Sequence, residues 1–245
     1  MAEFSLEEKK QPFIEHLIEL RSCLIKAFLG WIIASILVYL YSDNILEFLI
    51  NPLRPYLPSS QKVYFKTLPE VFSNEIKISA ILGFVIGSPF IFYQLWSFVA
   101  PGLYPHEKKW IKITVVFSSF SFLIGDLVAY YLFLPFILKF FYSFGEQFLI
   151  FKPYLKEYIN FLLKIFLIFG IFFQVPSVIF LLNKLEIVNL EQLKKFRPYA
   201  IILSFVFASI ITTGVDPLYQ ILLALPLTVL YEIGIILIKL TTLRR

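Results

Sequence analysis

Six apolar runs, separated by segments rich in charge and proline, divide the chain. Ahead of the first, Phe13, Leu17, Leu20 and Leu24 recur at helical spacing while Glu15, Glu19, Ser22 and Lys26 take another face. That periodicity predicts an amphipathic helical turn running straight into a span. The span itself, Leu24 to Tyr41, is 18 residues long, about 27 Å as a helix and enough for one crossing. Further spans are predicted over Ile76–Phe98, Ile113–Phe133 (closed by Pro135) and Tyr158–Leu182. The second carries Gly83 and Gly87 four residues apart, a spacing that lets two helices approach closely, with Pro89 as a kink. Tyr199–Ile211 has only 13 residues, about 20 Å against a hydrocarbon core of roughly 30 Å. The last run, after the turn Thr212–Pro217, reaches Ile238 and is interrupted by Pro226 and Glu232.

The expected fold is all-α: a polytopic membrane protein with six transmembrane helices, the last two short, in one membrane domain over 13–240. A disordered tail over 1–12 and a short tail over 241–245 are expected to flank it. Between the first two spans, Pro52, Pro55, Pro58 and Pro69 predict a loop with a short helix near Asn44–Asn51.

Composition agrees with the pattern. Residues are 59% hydrophobic and 16% charged, with 29 Phe in 245 residues, beyond the apolar share of a soluble domain. The net charge of +5 comes from bases scattered between spans, without the aromatic-interleaved basic patch of a nucleic-acid binder. The larger share of Lys and Arg falls on the side that holds both termini, which places the termini in the cytoplasm. The N-terminal stretch is acidic and polar, unlike a cleavable signal. Cys23 is the only cysteine, which excludes an internal disulfide and a cysteine-rich metal site. His16 and His106 lie between spans, so neither serves a nucleophile at membrane depth. With no metal-protease or phosphate-loop motif either, an enzyme, a cofactor and a metal are not expected.

The candidate chemistry lies at membrane boundaries. Ser88 to Lys109 leaves a span through Tyr93, Trp96 and Tyr104, breaks at Pro101-Gly102 and Pro105, and presents Glu107 beside Lys108 and Lys109. Glu19 and Glu107 are two acids that either hold a pair of guanidinium groups, each accepting a bidentate contact, or lie solvated beside neighbouring lysines. Within the bilayer, Gln174 is near the midplane and reads as a functional group or as an interhelical hydrogen-bonding side chain. Asp126 and Lys164 are expected to pair between the third and fourth spans. Gln220 bonds either a partner helix or its own bundle.

From about Phe13 to Lys239, the chain resembles the TatC family, the multispanning core subunits of the twin-arginine protein translocase. The residues that carry the resemblance are His16 to Arg21, Ser88-Pro89 through His106-Glu107, Phe173-Gln174-Val175-Pro176, Lys194 to Tyr199 with its Arg197-Pro198 step, and Asp216 with Gln220. The resemblance implies a cup-like six-helix receptor in the bacterial inner membrane. It would bind the twin-arginine signal peptides of folded cargo on its cytoplasmic face and assemble with single-span TatA and TatB. The proton-motive force would drive export, independently of Sec. By motif position, Glu19, Arg21, Phe98 and Glu107 would belong to the signal-recognition surface. Pro52 and Pro89 would shape the outer cap and the second helix, Gln220 would lie at a partner-helix contact, and Asp216 falls on a short outer turn. Ser204 joins Gln220 as a predicted contact on geometric grounds, because the short fifth run leaves a bilayer mismatch that a neighbouring helix relieves. The family usually places a glutamate where this chain has Gln174, which leaves a hydrogen-bonding role there. The competing class is a secondary transporter of a small solute with a midplane site around Gln174, which the absence of matching halves disfavours.

Overall fold

The computed structural model describes the backbone over residues 2–57, 63–99, 108–145, 152–212 and 217–242, with side chains over somewhat narrower stretches. Nine α-helices occupy these residues: α1 (Ala2–Tyr39), α2 (Ser42–Ile50), α3 (Leu68–Val99), α4 (Lys108–Val128), α5 (Leu134–Gly145), α6 (Leu155–Phe172), α7 (Val175–Lys184), α8 (Leu190–Thr212) and α9 (Pro217–Thr242). A 3₁₀ turn over Asn51–Tyr56 follows α2, and a π turn over Ala129–Phe133 joins α4 to α5. Among the described residues there is no strand, only an isolated bridge between Tyr64 and Tyr154.

Five stretches are long and apolar enough to cross a membrane: Leu17–Tyr39, Leu68–Phe98, Lys112–Ser143, Leu155–Lys184 and Gln220–Leu240. Their outward faces carry large exposed apolar side chains such as Ile33, Phe120, Leu132, Ile171 and Leu225, the arrangement expected where lipid replaces water as solvent.

Helix α1 takes in residues 2–12 of the expected tail. Two sequence expectations change. Pro135 does not close the third span: it falls at the start of α5, in the first turn after the π segment, and the rod continues to Gly145. The last two helices are not short. α8 has 23 residues and α9 has 26. In α9, Pro226 costs one backbone hydrogen bond without ending the helix. In α8, the apolar run is extended backwards by a polar turn that starts where the Asn189 N–H donates to Gln192 Oε1 (2.8 Å), half of a capping box.

Helix α1 packs on α3 along a seam of small residues. A Cβ on Gly83 would lie 2.3 Å from Ser35 Oγ and 2.5 Å from its Cα, and one on Gly30 would meet the Phe90 ring at 2.4 Å. Only glycine fits where the backbones come this close. Trp31 Nε1–H donates to the Ala80 carbonyl across the same seam at 2.7 Å. Gly83 is therefore placed as the sequence spacing predicts, and Pro89 sits inside a helix that continues to Val99.

The main core joins α2, α3, the α4–α5 rod and α6 around Leu49, Leu53, Ile78, Phe133, Ile159 and Phe169. Tyr130 Oη–H donates to the Phe48 carbonyl (2.5 Å) and Tyr158 Oη–H to the Leu49 carbonyl (2.7 Å). These bonds occupy carbonyls at the C-terminal end of α2, where a helix otherwise leaves acceptors unpaired. Pro52 opens the 3₁₀ turn that follows and precedes the fully buried Leu53. A second core, with Ile179, Leu193, Ala200, Tyr231, Ile235 and Ile238, joins α7, α8 and α9.

At the end of the bundle that carries α2, one carboxylate ties two spans together. Glu70 Oε2 accepts the Lys66 N–H (2.7 Å), while its Oε1 accepts the Lys156 N–H at the start of α6 (3.0 Å). Beside it, Lys66 Nζ donates to Glu157 Oε1 and lies over the Tyr154 ring, 4.3 Å from its centre. The Glu157 hydrogen bond holds the Lys66 ammonium above the usual lysine range.

Candidate functional site

The antiparallel α1–α3 seam sets the geometry of the predicted recognition residues. Gly30 lies against Phe90 and Ser35 against Gly83. Glu19 lies about three turns N-terminal of Gly30 on α1 and Phe98 about two turns C-terminal of Phe90 on α3, so both are beyond the same end of this seam. Glu19 and Arg21 are exposed, and Phe98 is half-buried. Glu107, with Pro101-Gly102, Pro105 and His106, lies outside the described residues, as does Asp216.

Gln174 sits at the break between α6 and α7. Its Nε2 donates to the Ser118 carbonyl of α4 (3.1 Å), with a longer contact to the Gly170 carbonyl (3.4 Å). A turn later, Ser177 Oγ meets Ser121 Oγ at 3.5 Å. The interhelical reading of Gln174 is thus the one its geometry supports, and it holds α4 to the bent α6–α7 rod.

The predicted Asp126–Lys164 pair does not form. Asp126 is buried at 7% exposure, and neither carboxylate oxygen has a hydrogen-bond partner among the described residues. Lys164 is exposed. The reason is helical phase: α6 buries Leu155, Tyr158, Ile159, Leu162, Leu163, Ile165, Phe166 and Phe169, and Lys164 projects from the opposite side. Adjacent spans with opposite charges do not pair when one charge faces away from the interface.

Ser204 is buried on α8, with its hydroxyl donating to the Ala200 carbonyl in the preceding turn (2.8 Å). Gln220 Nε2 donates to the Phe205 carbonyl (3.0 Å), so its amide is engaged within its own bundle. Gln174 and Ser204, assigned to separate roles from sequence, line one cavity of about 460 Å³ with Val178, Phe196, Phe207 and Tyr231. It lies between α7, α8 and α9 and is almost wholly apolar.

Sequence reasoning missed the clasp that closes α8 on α9. Arg197 Nη2 donates to Glu232 Oε2 at 2.7 Å, and Tyr231 Oη–H donates to the Leu193 carbonyl at 2.7 Å. The signal was present as an acid, Glu232, inside an otherwise apolar run, since such a group usually has a named partner. Glu70 was missed although Thr67-Leu68-Pro69-Glu70 has the spacing of a capping box at the start of α3; only its bond to the Lys156 N–H leaves no sequence pattern. Among the described residues, no group of His, Cys, Asp and Glu has the makings of a metal site.

A bundle of long apolar helices, five of them of spanning length, defines a multi-pass membrane protein. Residues 15–226 match the family model for the Sec-independent protein translocase protein TatC. The chain belongs to the TatC family. It is 38% identical over 232 residues to the Sec-independent protein translocase protein TatC of Desulforapulum autotrophicum, covering 95% of this chain and 86% of that one. It is 39% identical to the same-named protein of Aquifex aeolicus, over 94% of this chain and 96% of the relative. With that of Escherichia coli the identity is 32%, over 93% and 88%. A crystal structure described as the twin arginine translocase receptor TatC superposes with a TM-score of 0.80 at 37% identity, over 93% of this chain and 99% of that one. These relatives are named as components of a protein translocase, which is a transport role rather than a catalytic one.

Proposed function

We propose that this protein is the receptor and assembly core of a twin-arginine translocase in a bacterial inner membrane. In this reading, α8 supplies a sixth crossing beside the five long apolar stretches, the bundle is cup-like, and both termini are cytoplasmic. Twin-arginine signal peptides of folded cargo bind at the cytoplasmic mouth, and TatA and TatB assemble on the bundle for export driven by the proton-motive force.

The observation that carries the reading is the α1–α3 register. With Gly30 against Phe90 and Ser35 against Gly83, continuing the two antiparallel helices in that register directs Glu19 toward the end of α3 that carries Phe98, the end nearer in sequence to Glu107, and this supports the reading. A carboxylate accepts two parallel bonds from a guanidinium, so Glu19 and Glu107 hold the two arginines while Phe98 and the neighbouring aromatic belt receive the apolar part of the signal. Arg21 flanks the same surface. The nearly apolar cavity beside Ser204, next to α8 with its short apolar run, supports docking of a single-span partner helix on the α8–α9 edge. Gln220 lies at that edge with its amide bonded inward.

The test is equilibrium binding of Arg-Arg and Lys-Lys signal peptides to the unmodified protein, Glu19→Ala and Glu107→Gln. Lysine keeps the charge but lacks the planar fork, so the unmodified protein should prefer Arg-Arg, and Glu107→Gln should lose several-fold in Arg-Arg affinity. Full retention of the preference in both variants would remove these carboxylates from the reader.

A further inference from the structure

A cavity of about 370 Å³ opens at the membrane end that carries α2, between the 3₁₀ turn, α5 and the start of α6. Its floor is apolar, with Leu53, Ile137, Phe141 and Phe161, while Tyr142, Lys152 and Tyr154 stand at the rim. Ile137, Phe141 and Phe161 belong to membrane-spanning stretches, Leu53 to the 3₁₀ turn, and the rim lies where two of those stretches end, at Ser143 and Leu155. One site therefore offers a hydrocarbon-compatible slot and a polar lip at the depth of lipid headgroups.

The charges at that lip are unequal. Glu157 also lines the cavity, but it is already paired with Lys66. Lys152 is exposed, and its only described interaction is a distant approach to the Tyr64 ring, 5.9 Å from the ring centre. With the Glu157–Lys66 pair neutral, the described residues of the cavity leave one uncompensated positive charge, Lys152, above an apolar groove. Tyrosine rings at this depth suit the interface, where an amphipathic ring meets both water and hydrocarbon. Tyr56 and Tyr142, with ring centres 5.2 Å apart, form one wall.

We propose that this cavity is a binding site for an anionic glycerophospholipid, with its phosphate on Lys152 and one acyl chain along Ile137, Phe141 and Phe161. A singly charged headgroup matches the one cation without an ion pair among the described residues of the cavity, whereas a zwitterionic lipid brings a second charge that meets no unpaired acid among those residues. The site is separate from the predicted signal-peptide surface, at the opposite end of α3. Which leaflet supplies the lipid follows from the orientation proposed above, and the existence of the site does not depend on it.

The experiment uses full-length protein in nanodiscs containing trace phosphatidylglycerol or phosphatidylcholine with a photoreactive acyl chain, and maps the labelled peptides. Phosphatidylglycerol should label the α5 and α6 segments around Phe141 and Phe161. Labelling should fall about fivefold in Lys152→Gln, the loss expected for one basic residue at a membrane surface, and should also fall with added salt. Lys152→Arg should retain it. Circular dichroism and gel-filtration profiles of each variant separate loss of binding from loss of fold. Equal labelling by phosphatidylcholine, or undiminished labelling of a folded Lys152→Gln, overturns the headgroup assignment. No label in α5 or α6 overturns the site.

Discussion

Asp126 is the residue whose sequence reading and structure differ most. From the sequence it belongs to an ion pair; in the bundle it is buried with both oxygens unpartnered. A buried polar group without a partner costs roughly 1–3 kcal/mol. Replacing it by an apolar residue of similar size should therefore raise stability: Asp126→Val is expected to melt higher in detergent. Lys164→Ala is expected to leave the melting temperature unchanged, and the double variant should match Asp126→Val alone. Coupling between the two positions in that cycle would restore the pair. Other single residues were legible from the start. Gly83 and Gly87 announce a close helix approach by their spacing, whereas the depth of Gln174 left a functional and an interhelical reading open, and its bond to the Ser118 carbonyl supports the second. Asp126 and Lys164 were not legible, because sequence gives the charge and the depth of a side chain but only loosely its direction around the helix axis.

Among the elements, α8 and α9 show what periodicity conceals. The sequence places a helix boundary at Tyr199, where the apolar run begins, yet α8 starts at Leu190. Its first turns are polar because they face water at the membrane surface, and hydropathy cannot distinguish such a turn from a loop. Pro198 and Pro226 reinforce the error, since each reads as a breaker while packing holds the helix on both sides of it. The tight α7–α8 turn is likewise set by local bonds, with Glu186 in the left-handed region (φ 58°) and Asn183 Nδ2 donating to the Val188 carbonyl. Two of the polar contacts between α8 and α9 differ in burial. The Arg197–Glu232 pair is 45% and 39% exposed, so it contributes about 0.2–1 kcal/mol. The Tyr231–Leu193 hydrogen bond is buried; the Leu193 carbonyl keeps its helical partner without it, so its loss costs the net worth of one buried hydrogen bond, about 0.5–1.5 kcal/mol, together with the packing of the hydroxyl. Tyr231→Phe should therefore lower the detergent melting temperature more than Glu232→Gln. The reverse order would make the surface ion pair the principal tie.

For the whole molecule, the class was legible throughout: apolar runs of spanning length, bases gathered on alternate sides, and motifs in family order across nearly the full chain. The end that carries α2 was less so, because it is built from backbone acceptors. The carbonyls of Phe48 and Leu49 receive tyrosine hydroxyls, and Glu70 receives amides from two separate segments. The tyrosine bonds and the Lys156 amide depend on three-dimensional proximity and leave no spacing rule, whereas the local half of the Glu70 contact follows the Thr67-x-x-Glu70 spacing of a helix start. Orientation is the remaining global property with a direct measurement. In a Cys23→Ser background, Phe65→Cys is expected to react with an impermeant maleimide added to intact cells, while Lys195→Cys is expected to react only after the membrane is opened. Labelling of Lys195→Cys in intact cells would invert the topology.

The Glu70 bonds also decide where the bundle has freedom. They fix the beginnings of α3 and α6 against each other at one membrane surface. α3 runs 32 residues from that point, a rod of about 48 Å. Anchored at one end, such a rod acts as a lever: a tilt of about 5° at the fulcrum displaces the far tip by ~4 Å over that length. The far tip carries Phe98. A change in how the anchored surface is held is thus amplified at the opposite surface, with no helix needing to unwind.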